Sequence, residues 1–187
     1  MAILKSFFTN SVMGFLLLAA CAASAQMGPE APPAPLTFEM DSLSKKPKVF
    51  DYNLDVSPFT HSNRSFTDLK GKKAIVFYFS AKCPHCQKAT PHILELAKKL
   101  KKDSVTVYAL AVTVNTEQQL AEFVSGNKMD IPLFHDQQRA FARSYGTGRV
   151  PLILLLNKKG HYMQINGFNE QSDPERIHKI FSNKELF

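Results

Sequence analysis

The most reactive stretch of the sequence is the tetrapeptide Cys83-Pro84-His85-Cys86. Residues i and i+3 of a first helical turn lie on the same side, about 5–6 Å apart. That separation is within the window a disulfide needs, so the two cysteines can cycle between dithiol and disulfide. At a helix start Cys83 would meet unpaired backbone N–H groups and the positive end of the helix dipole, both of which stabilise a thiolate. Pro84 suits the first turn, where its missing N–H would have had no partner. His85 offers a hydrogen bond or, when protonated, a positive charge, and Lys82 adds a second cation. Such a thiolate can attack a disulfide and form a mixed disulfide that Cys86 then resolves. Taken alone, a tetrapeptide that favours the anion leans towards accepting electrons.

Other chemistries of the same residues are less well supported. A zinc site needs four ligands; there is no second Cys-x-x-Cys, and His92, His135 and His161 are scattered. A copper-binding carrier using Cys83, Cys86 and a histidine is the alternative from another class, because soft thiolates select Cu(I). A static structural disulfide is the bland alternative. No cofactor is expected, and no motif supports nucleic-acid binding.

These thiols need a scaffold, and the composition supplies one. The chain has 187 residues, 44% hydrophobic and 21% charged, which is enough for one globular domain with a proper core. Three cysteines cannot build a disulfide framework. The 23 Lys+Arg against 16 Asp+Glu give a formal charge of +7, which is most simply read as solvated lysine faces.

Residues 1–25 read as an export signal: Lys5, an apolar run and then small residues, closed by Ala23-Ser24-Ala25 before Gln26. Leu18-Ala19-Ala20-Cys21 competes with it as a lipoprotein signal over residues 1–20, in which Cys21 would carry a lipid anchor. Either way the exported domain keeps two thiols, Cys83 and Cys86, in a compartment that permits disulfides. The expected location is the bacterial periplasm or cell envelope. Residues 26–47, with five prolines from Pro29 to Pro47, read as a linker, with an edge strand over residues 36–40 as the ordered alternative. The globular domain is expected over residues 48–187.

Within it, residues 48–55 and 65–69 read as hairpin strands. Residues 74–80 (AIVFYFS) form an apolar run of the kind buried on both faces of a sheet. A helix is expected over 83–102 and a buried strand over 105–114. Thr116 and Gln119 suggest a capping box for a helix to about 125. A strand at 131–134, a helix at 137–145, strands at 152–157 and 161–166 and a helix at 173–183 complete the order. This is an α/β pattern: a mixed central sheet with helices on both faces.

Strand, Cys-x-x-Cys, a helix containing Pro91 and a later Val150-Pro151 before a buried strand together resemble the thioredoxin fold. The resemblance implies a thiol–disulfide oxidoreductase acting on protein thiols and disulfides, with a membrane redox partner. It implies that Pro151 is cis beside the cysteines and that the Val150 backbone binds substrate. The layout from Ser65 to Lys72 and the long path from Cys86 to Pro151 are similar to TlpA/ResA-type envelope thioredoxins, mostly reductants, many serving cytochrome c maturation. The local text around Cys83-Pro84-His85-Cys86 resembles the oxidant DsbA, so the direction of electron flow stays open. Two departures stand out. Lys82 replaces the usual Trp, and Phe77 occupies the position of a buried acid, for which Glu117 is a weak substitute.

Overall fold

A computed structural model describes residues 34–183 and Phe187. The expected export signal and the start of the linker lie outside the described residues.

The fold is organised by β2 (Lys73–Phe79), whose residues from Ala74 onward are all buried. A strand that is apolar on both faces must be covered on both. Ile75, Phe77 and Phe79 pack against α1 (Pro84–Leu100), α2 (Glu117–Asn127) and α4 (Asp173–Ser182). Ala74, Val76 and Tyr78 face the other way, towards α3 (Ala140–Tyr145) and the aromatic cluster of Phe50, Phe66 and Phe134. The pleat of one strand thus divides the core into two layers.

Six strands form one mixed sheet in the order β1-β4-β3-β2-β5-β6. β3 (Val105–Val112) is parallel to β2, with α1 as the crossover, and β4 (Leu133–Asp136) is parallel to β3. β5 (Leu152–Leu156) and β6 (Tyr162–Asn166) are antiparallel additions beyond β2. The sheet and the helix order follow the sequence pattern, and the Thr116–Gln119 capping box is present, with bonds of 3.2 and 3.1 Å.

Three segments depart from expectation. Residues 48–55 and 65–69 do not form a hairpin. Val49 makes a single bridge to His161, and strand β1 is Ser57–Pro58, paired with β4. Ser65 instead caps a 3₁₀ helix, Phe66–Leu69, in a box with Asp68: Thr67 N–H donates to Ser65 Oγ at 3.2 Å and Ser65 N–H to Asp68 Oδ2 at 2.9 Å. That local capping outcompetes strand pairing. Part of the expected linker is ordered as well: Phe38 bridges Met163, Glu39 N–H donates to Tyr162 O, and Met40 bridges Pro47.

The third departure is at α3, which starts three residues later than expected. Its first amides, Phe141 N–H and Ala142 N–H, donate to the buried carboxylate of Asp136 at 3.1 and 3.0 Å. Tyr78 Oη–H donates to the same carboxylate at 3.2 Å. Gly146 closes the helix, where a Cβ would collide with the Ala142 carbonyl. Because Asp136 satisfies three donors in the interior, Asp136→Ala should cost about 3 kcal/mol. A shift in the urea midpoint equivalent to less than about 1 kcal/mol would contradict this role.

Candidate active site

β2 ends at Phe79, and Ser80, Ala81 and Lys82 turn the chain into α1. The turn is closed by Cys83 N–H donating to Ser80 O at 3.1 Å. Asn115, buried just beyond β3, holds it from the side: its Oδ1 accepts from Ala81 N–H at 3.3 Å and its Nδ2 donates to Ser80 Oγ at 3.5 Å. Gln87 reaches back from α1, its Nε2 donating to Ala81 O at 2.9 Å. The loop carrying the reactive residue is therefore tied to both neighbouring elements.

Cys83 is the N-cap of α1 and is half-buried, with Pro84 opening the helix. Its Sγ–H donates to the carbonyl of Val150 at 3.6 Å. The Val150-Pro151 peptide is cis and delivers that carbonyl from the start of β5. Cys83 and the Val150-Pro151 peptide, far apart in sequence, thus meet at one mouth. Cys86, one turn into α1, is 0% exposed, and both thiols are free. Burial pushes the Cys86 thiol up to about 12, with neighbouring Cys83 adding to the rise and the Ser80 backbone opposing it.

The remaining expected residues are placed differently. Lys82 and His85 are exposed, and among the described residues neither side chain has a hydrogen-bond partner. Phe77 is fully buried and stacks on Phe79 at 5.2 Å, so the position of a buried acid is apolar. Glu117, the suggested substitute, is an exposed first-turn residue of α2. None of the groups that shift Cys86 is a carboxylate. Asn115 was missed in the sequence reading; a polar residue ending an apolar strand, Asn115 after Val114, was the available signal. Among the described residues no group of three or more His, Cys, Asp or Glu is placed to hold a metal ion.

A dithiol helix springing from the end of a buried parallel strand, opposite a cis-proline, defines a thioredoxin-like protein, and solved structures agree on the fold. StoA from Bacillus subtilis superposes with a TM-score of 0.53 at 23% identity, covering 61% of this chain and 84% of that one. A DsbF homologue from Corynebacterium diphtheriae gives 0.58 at 19%, covering 76% and 98%. The chain belongs to the AhpC/TSA family, which it matches over residues 48–165.

Among curated relatives it is similar to the sporulation thiol-disulfide oxidoreductase A of Bacillus subtilis, 30% identical over 94 residues, 49% of this chain and 56% of that protein. It is also similar to the thiol-disulfide oxidoreductase ResA of Geobacillus kaustophilus, 29% identical over 118 residues, 62% and 66% respectively. The chain thus spans little more than half the length of the first relative.

The two thiols should respond differently to alkylation. In the reduced protein at pH 8, iodoacetamide should modify Cys83 and leave Cys86 intact until the fold opens, as peptide mass mapping would record. Equal labelling of both would contradict the burial of Cys86. The same shift makes stability pH-dependent. Between the ordinary thiol value of 9.0 and about 12, the unfolded chain releases a proton that the folded chain keeps. Stability therefore falls as pH rises through that window, and Cys86→Ala should flatten the fall in urea titrations.

Proposed function

We propose that this chain is an extracytoplasmic thiol–disulfide oxidoreductase that exchanges disulfides with protein clients. The observation that carries the reading is the half-buried Cys83 Sγ at a helix mouth, 3.6 Å from the Val150 carbonyl, with a protonated, buried Cys86 one turn behind it. The names of the curated relatives support it. The export signal read from residues 1–25 supports a location in the cell envelope. Among the described residues no helix is long and apolar enough to cross a membrane. The lipoprotein signal read over residues 1–20 would place a lipid on Cys21, and a membrane redox partner would exchange electrons with the Cys83–Cys86 pair.

In the reducing direction the Cys83 thiolate attacks one sulfur of a client disulfide. A bond forms between Cys83 Sγ and that sulfur, the client S–S bond breaks, and the second client sulfur leaves as a thiolate. Cys86 then loses its proton and attacks Cys83 Sγ, releasing the first client sulfur as a thiolate. Two electrons have passed to the client, and the reverse sequence oxidises it. Burial keeps the resolving thiol protonated before the client arrives. Once Cys83 is bound in the mixed disulfide, its own contribution to holding the Cys86 proton is lost, so Cys86 ionises more readily when resolution requires it.

Val150 contributes its backbone: a client strand laid beside the cis peptide can pair with it while its cysteine faces Cys83. Lys82 and His85, both exposed and close to Cys83 in sequence, would bear on it through their charge. Cys83→Ser should abolish exchange with a dithiol test protein. Cys86→Ser should accumulate a mixed disulfide that non-reducing electrophoresis detects. Wild-type protein inert towards both disulfide and dithiol substrates would overturn the reading. The Cys83–Cys86 potential distinguishes the two directions, about −270 mV marking a thioredoxin-like reductant and about −120 mV a DsbA-like oxidant.

A further inference from the structure

We propose that the cleft beside Cys83 is a docking groove for an extended client segment that carries acidic residues next to its cysteine. This inference rests on the exchange reading above and adds the class of client to it. The cleft has a volume of about 620 Å³ and opens onto Cys83 and Val150, so whatever fills it lies against the reacting sulfur. Lys82, Arg139 and Arg149 all contribute to its lining. All three are exposed, and no Asp or Glu contributes to the lining.

Among the described residues these cations form no ion pair. The ion pairs among the described residues lie elsewhere, Lys99 with Glu95 on α1, and Arg176 with Asp173 and Lys179 with Glu175 on α4. Asp136, bonded to the lining residue Tyr78, is 0% exposed, and its oxygens already accept from Phe141, Ala142 and Tyr78. It gives Arg139 no surface partner. The Arg139 charge is felt within the lining: it partly offsets the burial and the Asp136 charge that hold the Tyr78 hydroxyl protonated.

A concave site lined by charge of one sign raises the local concentration of oppositely charged ligands and speeds their arrival. Exchange also spreads negative charge over the attacking, central and leaving sulfurs, which the same cations stabilise. Val114, 73% exposed, lies on the wall and offers an apolar contact to the bound segment. The concave shape with a nucleophile at its edge suits a chain segment rather than a flat lipid surface.

The test uses three disulfide-bonded peptides that differ only in the residues flanking the cysteine: Glu, Gln or Lys. Each is reacted with the reduced protein and quenched by acid, and its rate is divided by that of the same peptide with dithiothreitol to remove intrinsic reactivity. The Glu peptide should react about tenfold faster than the Lys peptide at low ionic strength. The preference should vanish near 1 M salt, where the screening length is about 3 Å. The double variant Arg139→Glu/Arg149→Glu should reverse the order.

Equal normalised rates for the three peptides in the wild-type protein would overturn the docking proposal and leave the exchange reading intact. An order unchanged in the double variant would remove the preference from this cleft and overturn it as well. If no peptide reacts at all, the exchange reading fails and takes the proposal with it.

Discussion

The site depends on the complete burial of one strand. Between Ala74 and Phe79 β2 carries no charged side chain, and its single hydroxyl, on Tyr78, is bonded internally to Asp136, so the strand rests at the centre of the sheet, between β3 and β5. Its carboxyl end is therefore fixed, and the chain must leave the core within a few residues of Phe79. The exit is costly for backbone groups that would otherwise be unpaired. The side chains of Asn115 and Gln87 satisfy two of them, at Ala81. With that turn held, α1 can begin only where it does, and Cys83 is carried to the carboxyl end of the central strand beside Val150.

The two cysteines then differ because of their depth. Cys83 meets solvent and a backbone carbonyl. Cys86 meets the apolar layer formed by Phe77, Phe79 and Ile93. Phe77 makes the floor beneath the pair apolar, and among the described residues the groups that act on the Cys86 thiol are its burial, the Ser80 backbone and Cys83. Charge enters from outside the core, through Lys82, Arg139 and Arg149 at the surface. The apolar interior sets the order of events, and the cationic rim bears on what approaches.

Much of this was legible in the sequence where a signal is local. Residues 74–80 and 152–157 are too continuously apolar for anything but central strands, and Thr116 with Gln119 announced a helix start. The pair Cys83 and Cys86 could be placed because spacing alone puts both on one side of a helical turn. Local signals misled over residues 48–55 and 65–69, which read as hairpin strands although Phe50 and Phe66 belong to the core. Their rings stack in the second core layer while the backbone takes capped turns. Asp136 and Asn115 had no local signature for their roles, since their donors arrive from other elements: Tyr78 for the one and Ala81 for the other. The cationic lining of the cleft was equally hidden, because Lys82, Arg139 and Arg149 meet only after β4, α3 and β5 are in place.

The ordered stretch from Phe38 to Lys48 bears on how this molecule behaves among unfolded chains. An open sheet border offers a row of free amides and carbonyls that a stray polypeptide can extend. One border here is β1, only two residues long and ending in Pro58, which has no N–H to offer. At the other, Phe38 and Glu39 lie against β6 and occupy part of its outward-facing backbone. Passing strangers thus find little to zip onto at either flank.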